Sequence, residues 1–260
     1  MRKQSLTVTG LLKIAPLYLA LILIWEMVYR TGIWPSFLFP SPSGVLENLS
    51  AGIQDLSIPI AAQISIQRLF IGYSISLVIG LLLGIMIDRI KYLDQALSPL
   101  LLGVQTLPSI CWLPLAILWF GLGEEAIIFV IAIGSIFSIS MAVVSGIKQI
   151  PPLYIRAAKT MGAKGLRRYT SVVIPAALPA IISGMKQGWS FAWRALMAGE
   201  LLTPTSGLGY VLIMGRDLHD MNQVVGIMIV IVIMGVVTDR LLFGRVEHAI
   251  LYRWGLTRSH

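Results

Sequence analysis

Charged side chains lie inside one of the most apolar stretches of the sequence, and their types limit the chemistry that the chain can perform. The stretch LPAIISGMKQGWSFAWRALMAGELL contains Lys186, Arg194 and Glu200. A charge at the centre of a bilayer costs about 2.5–3.5 kcal/mol on insertion scales, so such residues normally face protein or a water-filled path. Two cations in this stretch would give such a path a positive potential suited to an anion.

The spacing of these residues leaves two interpretations open. Lys186, Trp193 and Glu200 are seven residues apart and fall on nearly one helix face, whereas Arg194 belongs to a second stripe roughly 100° away. In the functional interpretation Lys186 and Arg194 line a pathway, with Trp193 as its steric wall. In the structural interpretation Lys186 snorkels to the interface and Arg194 pairs with Glu200 or with an acid on another helix. Glu200 itself is interpreted as a structural ion-pair partner.

A second polar stripe interrupts another apolar stretch. Gln105, Ser109 and Trp112 stand at i, i+4 and i+7. Pro108 and Pro114 remove backbone donors, which favours a kink in this helix. A broken helix with polar groups is tolerated in a membrane where it lines a cavity. Hydrogen bonds between neighbouring helices would explain the same residues equally well.

Nothing in the sequence predicts a catalytic residue or a metal site. All three histidines lie outside the apolar stretches, and the aspartates that border these stretches are Asp88 and Asp239. An intramembrane enzyme would need a catalytic pair such as an H-E-x-x-H zinc site inside the apolar stretches. The single cysteine, Cys111, has no partner for an intrachain disulfide.

The composition is that of an all-α protein that crosses a membrane several times. Of 260 residues, 57% are hydrophobic and only 12% are charged, whereas soluble domains carry about 25% charged residues. A bilayer core of about 30 Å takes about 20 helical residues to cross. Six windows are long enough, and we predict one transmembrane domain over residues 1–260. The predicted spans are 11–29, 69–87, 97–120, 126–147, 178–202 and 224–242.

The positive residues predict the orientation of these spans. Fifteen of the 20 Lys and Arg residues fall in the amino terminus, the second and fourth connections and the carboxyl-terminal tail. The other connections contain acidic residues or few charges, as in GLGEE. In membrane proteins the cytoplasmic segments carry the excess of Lys and Arg. We therefore expect a multi-pass protein of the inner membrane with both termini in the cytoplasm.

The fourth connection, residues 151–175, contains a short amphipathic helix. Tyr154, Ala157, Ala158 and Met161 fall on one helix face, and Gly162 is placed to end the helix in a left-handed conformation. An isolated helix this short is marginal in water, so its apolar face needs a partner. That partner could be the chain's own loops, the lipid headgroups or a groove on another protein.

The same segment carries a resemblance to a known family. RAAKTMGAKGLRRYTSVVIP resembles the cytoplasmic loop of ABC importer permeases, whose pattern is Glu-Ala-Ala, three residues, Gly, nine residues and Ile-x-Leu-Pro. Ala157, Ala158 and Gly162 match this pattern, whereas Arg156 stands where the family usually has Glu. The stretches FPSPSGV, LPSICWLPLAILWFGLG, WRALMAGELL and GLGYVL resemble the nitrate, sulfonate, taurine and bicarbonate branch.

The resemblance implies a six-span type I importer permease fold in which the amphipathic segment is the coupling helix. The implied coupling residues are Tyr154, Arg156, Ala157, Ala158, Met161 and Gly162. The implied partners are two ABC ATPase subunits, a second permease copy and an extracytoplasmic binding protein that delivers a small anion. ATP and Mg²⁺ would be bound by the ATPase, because this chain has no G-x-x-x-x-G-K-[ST] loop and is expected to hold no cofactor. The alternatives are a stand-alone channel or ion-coupled transporter and, last, an intramembrane enzyme.

Overall fold

The computed structural model describes residues 8–35 and 37–244 as a chain of helices joined by turns. No strand occurs among these residues, which confirms the predicted all-α class. The helices are α1 Val8–Arg30, α2 Pro42–Gln54, α3 Ser57–Arg89, α4 Lys91–Gln105, α5 Leu113–Phe120, α6 Glu124–Lys148, α7 Pro152–Thr160, α8 Gly165–Arg168, α9 Ile174–Leu202, α10 Leu208–Asp217 and α11 Met221–Asp239. A 3₁₀ turn at Ser109–Trp112 and π-helical segments at Tyr169–Val173 and Arg240–Gly244 complete them.

Four helical stretches of the described residues are long and apolar enough to cross a membrane, and a fifth crossing would be a bent pair of helices. The four are Ser57–Arg89, Glu124–Lys148, Tyr169–Leu202 and Met221–Gly244. Helix α1 coincides with the predicted span 11–29, but a sixth crossing stays a prediction. Helix α3 begins at Ser57 rather than at residue 69. Pro59 lies in its first turn, where the missing N–H is not needed, so the helix extends beyond its most apolar window.

The predicted span 97–120, in which prolines favour a kink, turns sharply in its middle. The segments Lys91–Gln105 and Ser109–Phe120 meet at 101°, which is far more than a kink. Pro108 disfavours the α conformation of Leu107 and donates no backbone hydrogen bond. The N–H of Leu107 bonds instead to the oxygen of Val104, at 3.0 Å, and closes α4 with a tight turn. Pro114 does not bend α5, since it lies in the first turn of that helix.

Contacts among the described residues divide the chain into two compact units. One contains residues up to Ala61 together with Val211–Ile231, and the other contains Ala62–Tyr210 and the residues from Val232 onward. In the first unit, the side chain of Asn48 on α2 donates a hydrogen bond of 3.2 Å to Asp220. The larger unit contains α6, α9 and most of α3, and the candidate site lies in it.

Helix α6 is the packing centre of the larger unit. Gly72, Gly80 and Gly84 of α3 lie against it: a Cβ on Gly80 would stand 2.9 Å from the Cβ of Ile139. The Ser140 hydroxyl of α6 donates to the oxygen of Gly80, and the Ser135 hydroxyl donates to the oxygen of Gly188 on α9. Small residues therefore let three backbones approach closely, as is common where membrane helices pack.

We predict that substitution by alanine lowers the melting temperature at one glycine and not at another. In Gly84→Ala the new Cβ would stand 2.6 Å from the Cβ of Val143 and 2.8 Å from the backbone oxygen of Ser140. Overpacking of this kind costs about 1–3 kcal/mol, which lowers the melting temperature by several degrees. The control is Gly103→Ala, because nothing lies within 4 Å of that new Cβ. Melting in detergent should show Gly103→Ala unchanged or slightly stabilised, and equal losses in both variants would contradict this packing.

Candidate functional site

A cavity opens where α4 and α5 are separated by the sharp turn. Its volume is about 370 Å³. Its wall contains four of the six residues predicted to line a pathway: Gln105, Ser109, Trp112 and Arg194. The remaining lining residues are Val104, Thr106, Leu107, Pro108, Ile110, Ile133, Gly134, Phe137, Phe191 and Ala198. The turn thus joins two polar stripes that are about 90 residues apart in the sequence.

Gly134 of α6 makes this convergence possible. A Cβ at this position would stand 3.0 Å from the Cβ of Ser109 and 3.4 Å from that of Ala195. Both distances are short for contacts between carbon atoms, whose optimum is about 3.5–4.0 Å. The 3₁₀ turn and α9 therefore approach α6 at one point, and the cavity forms beside it.

Arg194 is the charged residue of the cavity wall. Its Nε donates a hydrogen bond of 3.0 Å to the oxygen of Ser190, and its guanidinium lies 4.7 Å from the ring centre of Phe191. Across the described residues no carboxylate lies within ion-pair distance of Arg194, and Glu200 is held by a different arginine. The proposed Arg194–Glu200 pair is therefore wrong, because the two side chains leave α9 on different faces.

Lys186 and Trp193 do not line the cavity. The Nζ atom of Lys186 is 3.8 Å from Oδ2 of Asp239. The indole nitrogen of Trp193 lies 3.1 Å from where a Cβ of Gly235 would stand. Both side chains thus lie on the side of α9 that meets the end of α11. Their assignment to a pathway stays a prediction.

Glu200 lies at the centre of a buried hydrogen-bond network. Its side chain is fully buried, and its Oε1 is 3.1 Å from Nη1 of Arg68, whose side chain is only 3% exposed. The Ser65 hydroxyl donates to the carboxylate at 2.8 Å, and the N–H of Gly209 donates to Oε2 at 3.0 Å. The Ser65 oxygen in turn accepts from the N–H of Leu208, at 2.9 Å. Glu200 and Ser65 therefore cap the first turn of α10.

Arg68 extends this network to two further elements. Its Nη2 lies 2.8 Å from Oε1 of Glu124, the first residue of α6, and its Nη1 donates to the oxygen of Ser206. The residue after Ser206 must be glycine, since a Cβ on Gly207 would stand 2.5 Å from Cδ of Glu200. Glu200, predicted to be a structural ion-pair partner, thus lies within ion-pair distance of Arg68, an arginine that the sequence did not identify as its partner.

Helix α7 has the predicted form, but one predicted contact residue faces inward. Gly162 has φ +80°, and its N–H bonds to the oxygen of Lys159 while that of Ala163 bonds to Ala158. This is a Schellman ending, as the glycine predicted. Ala158 is 1% exposed, whereas Tyr154 is 51% and Met161 80% exposed. Arg156 and Ala157 are exposed beside them.

Comparisons with known proteins point to one family. The family model for the inner membrane component of binding-protein-dependent transport systems matches residues 76–244. The taurine transport system permease TauC of Escherichia coli is 30% identical over 77% of this chain and 74% of its own length. SsuC of Bacillus subtilis, named for aliphatic sulfonates transport, is 29% identical over 90% of this chain and 84% of its own. The nitrate import permease NrtB of Synechocystis is 29% identical over 77% and 76%.

A solved structure shows the same fold. The alignment with a chain of the inward-facing methionine ABC transporter MetNI covers 76% of this chain and 97% of the MetNI chain. Its TM-score is 0.67. The sequence identity is 18%, so this likeness concerns the fold alone.

We predict that Arg68→Met is strongly destabilising. The substitution leaves the Glu200 carboxylate buried without its cation, which costs about 3–5 kcal/mol, or a melting temperature lower by roughly 10 °C. The matched control is Arg30→Met, because Arg30 pairs with Glu26 at 2.7 Å on an exposed helix face. Such exposed pairs contribute about 0.3–0.5 kcal/mol. Combining Arg68→Met with Glu200→Leu should recover part of the loss, and equal melting of the two single variants would contradict the role of the pair.

Proposed function

This chain belongs to the family of inner membrane components of binding-protein-dependent transport systems, and from that premise we propose that two copies of it form the membrane pathway of an ATP-driven importer for a small anion. It has the type I ABC permease fold and is a multi-pass membrane subunit rather than an enzyme. The family works with an ATPase and with a binding protein. The numbers of subunits, two permeases and two ATPases, are part of the proposal.

The observation that carries the proposal is the exposed apolar side of α7. Leu153 and Tyr154 lie on this helix of nine residues and Met161 is its C-cap, and all three are more than half exposed. The inward side of α7 is already satisfied, because Ile155 packs against the cluster that contains Val143 and Val173. A helix this short is marginal in water, and exposed apolar side chains that lie together mark a surface that another molecule covers. We assign this face to a groove of the ATPase subunit.

The inward side of α7 gives this docking a mechanical consequence. Ala158 is buried, and Ile155 packs against a cluster formed by the end of α6 and the segment that leads into α9. Closure of an ATPase pair would therefore move α7 and the spans attached to it as one rigid body. ATP and Mg²⁺ would be held by the ATPase.

The substrate class follows from the relatives and from the site. The relatives are named for taurine, aliphatic sulfonates and nitrate, which are anionic or zwitterionic. We propose a small anion of this type, with bicarbonate as a further member of the same branch. Gln105, Ser109, Trp112 and Arg194 are the proposed pathway residues with a shared cavity.

The proposed topology places α7 on the cytoplasmic side. Exposed cations surround it, including Arg156, Lys159, Lys164 and Arg167. The basic tail residues Arg245, Arg253 and Arg258 and the amino-terminal Arg2 and Lys3 lie outside the described residues. Cytoplasmic termini are therefore proposed from the charge distribution alone.

We predict that Met161→Glu abolishes association with the ATPase without unfolding the chain. The new charge would be buried at the proposed interface, whereas in the free chain it would stand in water. The readout is co-purification of the co-expressed ATPase with tagged permease, together with the melting temperature of each variant. Leu46→Glu is the control, because Leu46 is equally apolar and 67% exposed on α2. Retention of the ATPase by Met161→Glu would reject this docking face.

We predict opposite labelling of two engineered cysteines in intact cells. In a Cys111→Ser background, Glu47→Cys on α2 should react with a membrane-impermeant maleimide added outside. Lys164→Cys should react only after the cells are permeabilised. The reverse pattern would invert the proposed topology, while labelling of both in intact cells would contradict the crossing between them.

A further inference from the structure

The surroundings of Arg194 differ from those of Arg68 on α3 and of Lys186 on α9. Both terminal nitrogens of Arg68 are engaged, by Glu200, Glu124 and the oxygen of Ser206. Lys186 lies within ion-pair distance of Asp239. Arg194 donates a hydrogen bond only from its Nε, to the oxygen of Ser190 in its own helix. Among the described residues, no acceptor lies within hydrogen-bond distance of its two terminal nitrogens. Its guanidinium fork thus stays available in the cavity wall.

The neutral residues of the cavity add donors beside this fork. Gln105 carries an amide and Ser109 a hydroxyl, and both face the same space as Arg194. Among the lining residues Arg194 carries the one formal charge, so the cavity has no carboxylate that would repel an anion. A guanidinium binds two oxygens of one anionic group side by side, which leaves a third oxygen for a neutral donor.

The remaining wall is mainly apolar, with Thr106 as a further polar residue whose hydroxyl donates to the oxygen of Gly103. It is formed mainly by aliphatic and aromatic side chains from α4, α6 and α9, including Ile133, Phe137 and Phe191. Small-molecule sites are typically cavities of about 300–1,000 Å³ with mostly apolar walls and a few placed polar groups. At about 370 Å³, the cavity could hold an anion with a short carbon chain. A bare inorganic anion would leave the apolar wall without contacts.

We propose that this cavity is a binding site for a small organic sulfonate, with Arg194 as its specificity-determining cation. The head group binds the Arg194 fork and the donors of Gln105 and Ser109, and the carbon chain packs on Phe137 and Phe191. The proposal rests on the proposed transport function and narrows it, because it separates organic sulfonates from nitrate and bicarbonate within the membrane subunit.

The test measures binding to the purified full-length permease, without its ATPase. Radiolabelled butanesulfonate is the probe, with methanesulfonate, butyrate and nitrate as competitors. Wild type should bind alkanesulfonates about fourfold more tightly per added methylene, as expected for burial of a CH₂ group. Nitrate and butyrate should compete weakly, because the first has no carbon chain and the second offers only two oxygens.

Three variants separate the roles within the cavity. Arg194→Gln should weaken butanesulfonate binding by about tenfold to a hundredfold, as for loss of a hydrogen bond to a charged group, while Arg194→Lys should be intermediate. Ala198→Leu fills the cavity and should remove the gain per methylene. The control is Arg216→Gln, since Arg216 is exposed and pairs with its neighbour Asp217. Each variant is also melted, to show that it is folded.

Several results would overturn the inference. They are absence of saturable butanesulfonate binding to wild type, unchanged binding by Arg194→Gln, or nitrate competing as well as butanesulfonate. The same preparations are tested for co-purification of the ATPase. If the ATPase still depends on Met161 while the sulfonate does not bind, the sulfonate site is wrong and the transport function stands. If the ATPase does not depend on α7, the proposed function fails irrespective of the binding result.

Discussion

A carboxylate buried between apolar helices is the constraint around which the larger unit is arranged. Glu200 is fully buried, and an isolated ionised carboxylate in such surroundings is prohibitively costly. Every nearby element therefore contributes a donor: Ser65 and Arg68 from α3, and the N–H of Gly209 from the first turn of α10. The glycines at 207 and 209 leave room for the carboxylate. One buried charge thus fixes the relation of α3, α9 and the start of α10.

The same constraint distributes the cations of the spans. Arg68 pairs with Glu200 and also with Glu124 at the start of α6, so its role is structural. Lys186 is held near Asp239 on another side of α9. Arg194 is the cation that α9 presents to the cavity beside the broken helix. Because the Glu200 carboxylate has its donors without Arg194, this residue can serve a solute without loss of the fold.

Close helix packing and the sharp turn have complementary effects. Small residues on α3 and α9 bring both helices against α6, which leaves little free volume there. The turn at Pro108 prevents the segment from α4 to α5 from packing in the same way along its whole length, and the cavity opens at that point. A closely packed core and the cavity beside it therefore follow from the positions of glycine and proline.

The sequence by itself determined the features that depend on neighbours within a helical turn. These include the apolar helices, the short α7, its left-handed end at Gly162 and the break at Pro108, because propensity, capping and the missing proline N–H act locally. The tertiary structure decided which charges meet. Arg68 and Glu200 are 132 residues apart, and Arg68 preceded the predicted span at 69–87, so spacing on α9 could not identify the pair. It also decided that Ala158 faces inward and that Arg194 faces the cavity, since burial depends on helices that are distant in the sequence.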